Sequence, residues 1–476
     1  MDSKPSPKNH LPSILLVIAG SAVMHFYGSG IHPHWWLMWL SIPPVLIIVP
    51  GLRAWPAYAV AFFAWAIGGL NQCAYLHKLG VPTSIVAIAV IVPSLLFGLA
   101  VLLYRAYARR GARWRAVLAL AAVWVSCEFI SNLTSIHGTY GNIAYTQMDF
   151  LPILQLASVF GIWGIDFFLI FFPAAIALLT VDAPHRARFA AIVLACAVVV
   201  FGFGEYRLHS GPAYDHSIKV GLLASDYQGN NNPESSKANG RLLREYLDHA
   251  NELVAQGAQV VVIPEKISGI LSPLTEDIDK LYQDTADRTH VPILIGVIRK
   301  TPDTLLNEAR LYLPATSAPL TYEKHHMLPP FESDMLVGTN RLVFDQPSGK
   351  WGVQICKDMD FPQLSRQYGN DGIGLLLVPA WDFEVDGWLH GRMAVLRGVE
   401  SGFGIARTAK NGLLTVTDDR GRVLGESRSD AAPFASLIAT VPVHHDRTLY
   451  AKYGEWFGWL NILGMLGLVA RLWLKR

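Results

Sequence analysis

Residues 11 to about 208 are mostly long apolar runs, and this constrains the chain more than any other feature. A bilayer core about 30 Å thick takes roughly 20 apolar residues as a helix, because no water is present there to satisfy open backbone. Eight such spans are expected, at about 11–28, 34–50, 55–76, 82–104, 115–133, 158–180, 189–207 and 456–474. Pro43 and Pro44 interrupt the second, a break that surrounding protein can tolerate. The first is read as a retained span, not a cleaved signal peptide, since further spans follow at once. Only 16% of the residues are charged, against about 25% in a soluble protein. Those charges concentrate in residues 217–445, which have ordinary globular composition. The expected organisation is a membrane domain at 1–210 with seven spans, a globular domain at 217–445, and a return segment with a final span at 446–476.

Basic residues give the orientation. With the N-terminus inside, the inner segments hold thirteen Lys and Arg, among them Arg105, Arg109, Arg110, Arg186 and Arg188. The short outer loops hold only Lys78. An odd number of spans before residue 217 then places the globular domain outside the cytoplasm. The formal charge of +2 argues against a nucleic-acid partner. Cys73, Cys127 and Cys196 all fall in expected spans, so Cys356 has no partner in its own domain. A lone thiol in an oxidising compartment calls for a reason.

From Ser217 onward, short apolar strands alternate with helical stretches, the mark of a layered α/β domain. Strands are expected at 218–224, 259–263, 292–298, 309–313, 352–356, 374–379, 403–408, 413–417 and 434–441. Helices are expected at about 237–256, 274–287, 361–369 and 388–401. No Gly-rich phosphate loop and no Cys/His metal spacing is present. His325 and His326 are adjacent on an extended segment and point to opposite faces, so no metal site and no cofactor is expected.

Three residues stand out by position. Glu265 closes the apolar run Gln259-Val-Val-Val-Ile-Pro-Glu265. Lys324 lies in Tyr322-Glu-Lys324-His-His-Met-Leu-Pro-Pro-Phe-Glu332. Cys356 ends Trp351-Gly-Val-Gln-Ile-Cys356. Alone, each has an ordinary reading: a helix-capping carboxylate, a solvated lysine, a small buried apolar residue. Together they supply a base for a thiol, a cation for an oxyanion and a nucleophile. Glu265 and Cys356 occupy strand-to-loop junctions, where α/β sheets expose reactive groups.

At this point the chain resembles the apolipoprotein N-acyltransferase family, the membrane-bound branch of the nitrilase (carbon-nitrogen hydrolase) superfamily. The resemblance runs along nearly the whole chain: Tyr145 to Gly164, Pro264-Glu265, Lys324 with Pro329-Pro-Phe-Glu332, Cys356, Pro379-Ala-Trp381, His390, Arg397-Gly-Val-Glu400 and Thr448 to Gly454. It implies a multi-span helical membrane domain plus a nitrilase-like αββα sandwich inserted before the last span. It implies a Glu265–Lys324–Cys356 triad, with Glu332, Lys357, Asp358, Trp381 and His390 as supporting or substrate-binding residues. The reaction implied is transfer of a fatty acyl group from a membrane phospholipid, through a Cys356 thioester, to an amine. That amine is typically the N-terminal cysteine of a lipoprotein, at the periplasmic side of a bacterial inner membrane. Phe331 to Val337 and the group Trp456, Phe457 and Trp459 suit a membrane interface. The rival readings are a membrane-anchored carbon-nitrogen hydrolase (an amidase), a transferase with a different acceptor, and an inactive envelope scaffold.

The chain departs from the family next to the thiol. Lys357 and Asp358 stand where an aromatic residue and a Glu are usual, the Pro-Phe-Gly-Glu pattern reads Pro-Phe-Glu-Ser, and a Trp is absent from the polar loop around Asp226 to Glu234. The charges of Lys357 and Asp358 are expected to tune acceptor or headgroup choice and to leave thioester formation intact.

Overall fold

The computed structural model describes residues 11–180, 184–210, 216–227, 229 and 232–474. Two compact units divide the chain, one running to His209 and resuming at Glu455, the other Ser210–Gly454.

The first unit is helical. Among the described residues, six helices are long and apolar enough to cross a membrane: Leu11–Gly28, Thr83–Ala108, Arg113–Thr134, Ile162–Leu179, Arg186–His209 and Trp456–Trp473. A seventh span forms if Ala54–Gly69 and Asn71–Lys78, bent by 41° at their junction, cross as one. The stretch expected at 34–50 is not one continuous span. It is two short helices, Trp35–Ser41 and Pro43–Ile48, followed by a 3-10 turn. The prolines cause the break: Pro43 cannot continue the preceding helix and opens the next one. The span expected from 158 starts at Ile162, because Gly161 with φ 65° ends a separate short helix. Ahead of it, the family-like stretch folds as a 3-10 turn at Ile143–Gln147 and short helices at Leu151–Leu154 and Ala157–Phe160.

The second unit is a four-layer sandwich. Its strands are β1 (Ser217–Ala224), β2 (Val260–Val262), β3 (Ser268–Ile270), β4 (Ile293–Lys300), β5 (Leu305–Tyr312), β6 (Leu320–Glu323), β7 (Leu342–Gln346), β8 (Gly349–Val353), β9 (Leu375–Trp381), β10 (Gly404–Lys410), β11 (Leu413–Thr417), β12 (Val423–Arg428) and β13 (Ala435–Pro442). Its main helices are α1 (Ser236–Ala255), α2 (Leu274–Thr289), α3 (Pro362–Asp371) and α4 (Gly387–Ser401). One sheet has the order β13-β1-β2-β4-β5-β6, with β3 also on β4; the other runs β12-β11-β10-β9-β8-β7. The middles of both sheets are parallel and their flanks antiparallel.

Period-two burial explains the layers. Val220, Leu222, Val260 and Val262 of one sheet meet Val353, Leu375, Leu377 and Ala406 of the other in a shared core. The alternate residues Leu223, Val261, Ile293 and Ile295 face α1 and α2. On the far side, Leu376, Val378 and Ile405 face Leu364 and Tyr368 of α3 and Ala394 of α4. Strands buried on both faces read as continuous apolar runs, so the expected strands all appear within a few residues. The strands β3, β6, β7 and β12 are shorter or half-exposed and carry no such run.

Candidate active site

Glu265 lies three residues beyond β2. Its backbone N–H donates to the Ala380 carbonyl at 3.3 Å, which fixes it beside the end of β9. Gly296 of β4 makes room for this segment: its N–H donates to the Pro264 carbonyl, and a Cβ there would lie 2.5 Å from that oxygen. Lys324 follows β6 directly. Its N–H donates to Asn307 O at 3.0 Å, and its carbonyl accepts from Gly338 N at 2.8 Å. Cys356 begins a 3-10 turn three residues beyond β8, with φ 42° in the left-handed region. A side chain seldom takes that backbone without a reason. Here the turn keeps Cys356 packed against the core between the sheets, and Sγ comes within 3.5 Å of the Trp381 carbonyl.

The side chains form one charged group. Lys324 Nζ donates to Glu265 Oε1 at 2.8 Å and to Glu332 Oε2 at 2.8 Å and Oε1 at 3.1 Å. Lys266 Nζ donates to Glu332 Oε1. Asn307 Nδ2 spans the two acids, 2.6 Å from Glu265 Oε1 and 2.8 Å from Glu332 Oε1. Leu328 N donates to Glu332 Oε2 at 2.8 Å, so Glu332 closes its own turn. Glu265, Lys324, Glu332 and Asn307 are all at least 99% buried.

Burial of these charges stands because each is paired. Burial alone would raise the Glu332 carboxyl, but Lys324 and Lys266 bring it down to about 2. Burial would lower the Lys324 ammonium, yet Glu265, Cys356 and Glu332 hold it above its ordinary value. For the Cys356 thiol, burial and then the Glu265 charge push the pKa well up, against the opposing pull of Lys324 and Arg407. The resting thiol is therefore protonated and needs a base beside it, which Glu265 can provide.

The other expected residues fall in different places. Trp381 contributes its carbonyl to the thiol, and its ring lies near two ammonium groups. Lys357 is buried, 3.6 Å from Asp360 Oδ2 and 5.6 Å from the centre of the Phe361 ring. Asp358 is wholly buried. Its Oδ1 accepts from the backbone N–H of His325 and His326 and pairs with His326 Nδ1, while Oδ2 accepts from Tyr322 Oη at 2.7 Å and Ile355 N at 3.2 Å. It thus joins the strand leading to Lys324 to the turn leading to Cys356. His390 sits in a second network, with Nε2 3.1 Å from Asp386 Oδ2 and Nδ1 3.9 Å from Asp360 Oδ1. Burial would lower its pKa, but Asp386 and Asp360 raise it to about 9. Beside it, Arg407 clamps both oxygens of Asp382, at 2.9 and 2.5 Å.

Sequence reasoning passed over Asn307, Lys266 and the Asp382–Arg407 pair. A usable signal existed for one of them: Arg407 is a charged residue inside a strand otherwise buried on both faces, whereas Asn307 lies ahead of the strand expected at 309–313. Among the described residues, no group of three or more His, Cys, Asp or Glu side chains is arranged to hold a metal ion.

Comparison with known proteins matches the same two units. The apolipoprotein N-acyltransferase N-terminal domain profile matches residues 21–175, and the carbon-nitrogen hydrolase profile matches residues 225–452. The apolipoprotein N-acyltransferase of Geobacter metallireducens is 22% identical over 97% of this chain and 95% of its own length. That of Haemophilus ducreyi is 24% identical over 83% of this chain and 85% of its own. Among solved structures, an amidase from Nesterenkonia sp. is 20% identical with a TM-score of 0.39, covering 50% of this chain and 95% of that one. The chain belongs to the apolipoprotein N-acyltransferase family, the membrane-bound branch of the carbon-nitrogen hydrolase superfamily.

Proposed function

We propose that the protein is an N-acyltransferase of the bacterial inner membrane, moving a fatty acyl group from a phospholipid to the N-terminal cysteine of an apolipoprotein. The observation that carries this reading is the buried Glu265–Lys324–Glu332 group beside a thiol held on a left-handed turn. In the first step, Glu265 takes the Cys356 proton; both bonds from Lys324 and Asn307 fall on its Oε1, leaving Oε2 for that proton. The thiolate attacks an ester carbonyl, and Lys324 with a backbone N–H at the turn stabilises the oxyanion, each donor lowering the barrier by about 2.7–4 kcal/mol. The carbon–oxygen bond breaks, Glu265 returns the proton to the leaving alkoxide, and a lysophospholipid departs. In the second step, a neutral amine attacks the thioester, Glu265 accepts its proton, an amide forms, and the thiol is restored.

The basic residues on one side of the spans support a catalytic unit on the periplasmic side, a reading that counts the bent pair Ala54–Lys78 and the broken apolar stretch Trp35–Gly51 as one crossing each, seven in all before residue 217. A phosphatase reporter fused after Gly229 should then be active, and activity of only a cytoplasmic reporter there rejects this orientation. The transfer itself is tested by complementing a bacterial strain depleted of lipoprotein N-acyltransferase, with mass spectrometry of lipoprotein N-termini. N-acylated termini support the assignment. Release of free fatty acid without amide in the purified system makes the protein a hydrolase instead.

A further inference from the structure

We propose that His390, as an imidazolium, is a positioning residue for the nucleophile, pinning the Cys356 turn to the loop that follows Trp381; this rests on the acyl-thioester chemistry of the reading above. The ring stands on α4 between two carboxylates. Its Nε2 lies 3.1 Å from Asp386 Oδ2, and its Nδ1 lies 3.9 Å from Asp360 Oδ1. A neutral imidazole carries one N–H and can donate to only one of them. The imidazolium carries two and attracts both charges.

The two carboxylates come from the two segments that meet at the thiol. Cys356 opens the 3-10 turn that Asp360 ends. Trp381, whose carbonyl lies 3.5 Å from Sγ, opens the loop that Asp386 ends at the head of α4. Asp386 also shapes that loop, because its Oδ1 accepts from Phe383 N at 3.0 Å. Asp360 is shared with Lys357, 3.6 Å from its Oδ2. The two segments thus touch at the thiol and are tied again, a few residues further on, through His390.

That tie bears on the nucleophile. Cys356 holds φ at 42°, and such backbone persists only where its surroundings over-determine it. Asp358 fixes the turn towards Lys324. On the other flank, Asp360 and His390 fix it towards Trp381. The tie is also poorly reached by water: Asp386 is wholly buried, and the side chains of Asp360 and His390 are 6% and 18% exposed. A change of charge there is therefore weakly screened. Charged groups face the ring from three elements: Asp386 at the head of its own helix, Asp360 in the nucleophile turn, and Asp382 directly after β9. Asp382 is itself clamped by Arg407 of β10. Burial opposes the charge on the ring, but these carboxylates outweigh it and raise the pKa to about 9. The tie is then complete at neutral pH and is lost as pH rises through that value.

The test follows acyl-enzyme formation on the full-length protein in detergent micelles by intact-protein mass spectrometry, between about pH 6.5 and 10. Two donors are used, phosphatidylglycerol and the activated ester p-nitrophenyl butyrate. The wild-type rate should fall on the order of tenfold as pH rises through about 9. His390→Gln keeps a donor for one carboxylate and has no charge to lose. It should be slower on the order of tenfold at neutral pH and show no such fall. Asp360→Asn removes a carboxylate that raises the ring, so its fall should come about one pH unit lower. A histidine with a merely structural role would lower the unfolding temperature when replaced and leave the shape of the pH profile alone. A fall through pH 9 that persists in His390→Gln, a fall in Asp360→Asn at the wild-type pH, or a wild-type rate that stays flat overturns the inference. Acylation by p-nitrophenyl butyrate with the expected profiles, but none by phosphatidylglycerol, supports the role of His390 and overturns the phospholipid-donor reading.

Discussion

Replacing Glu332 with Gln removes one negative charge from a buried group of two carboxylates and two ammoniums and keeps the side-chain shape. In the native protein Lys324 and Lys266 both donate to Glu332. After the change, the group carries one uncompensated positive charge in a largely buried site. The carboxyl is held at about 2 against an ordinary 4.5, and at about 1.4 kcal/mol per pKa step this contributes about 3 kcal/mol at neutral pH. Breaking a buried ion pair by removing one partner costs a similar amount, about 3–5 kcal/mol. For a unit of this size the loss lowers Tm by about 6–12 °C. The sign with pH is fixed: a depressed carboxyl stabilises above pH 4.5, and that contribution fades as pH falls toward 2. The Tm gap between wild type and Glu332→Gln should therefore shrink as pH falls from 6 to 3. Catalysis should suffer too, because Lys324 then turns wholly to Glu265 and weakens it as a base. Thioester formation, followed by intact-protein mass spectrometry after rapid mixing with phospholipid, should slow on the order of 100-fold. A variant with wild-type Tm at pH 7 and a rate within threefold would refute the reasoning.

Asn307→Leu removes the amide that bridges Glu265 and Glu332 while keeping the volume, and should slow thioester formation at least about tenfold in the same assay. Asp358→Ala frees Tyr322, His325, His326 and Ile355 at once, so thermal unfolding should fall by several degrees and acylation should slow; Lys357→Met should leave acylation closer to wild type. His390 is raised to about 9, so its pairing with Asp386 and Asp360 stabilises fully below pH 6.5 and is lost as pH rises through 9. The Tm difference between wild type and His390→Gln should accordingly narrow between pH 6.5 and 9.5.

The parallel strands β1, β2, β4, β8, β9 and β10 were legible because burial on both faces writes them as apolar runs. Helix α1 was legible because Leu242, Leu243, Tyr246, Leu247, Ala250 and Leu253 repeat at helical spacing. The edge strands β7 and β12 were not, since half-exposed strands keep polar residues and lose that signature. The apolar count at 34–50 was right and its continuity was not, because proline geometry overrides hydropathy. In the site, Glu265, Lys324 and Cys356 were marked by place and order. Asn307 was hidden because its task depends on β5 lying between two acids brought from distant segments, a relation that no local pattern encodes. Asp358 was read as a charge facing substrate. Its oxygens instead hold backbone and side-chain groups of the Lys324 and Cys356 segments, a tie across more than thirty residues of sequence.

The central claim is that Cys356 carries the acyl group between two substrates. It is tested most directly by incubating the purified full-length protein with phospholipid, mapping the modified peptide by mass spectrometry, and then adding a diacylglyceryl-cysteinyl peptide. The account predicts one acyl chain on Cys356 as a thioester, discharged by the peptide with formation of an N-acyl amide, and no adduct or product from Cys356→Ser. An N-acylated peptide formed by Cys356→Ser at the wild-type rate, or turnover with no acyl group ever found on Cys356, would contradict it.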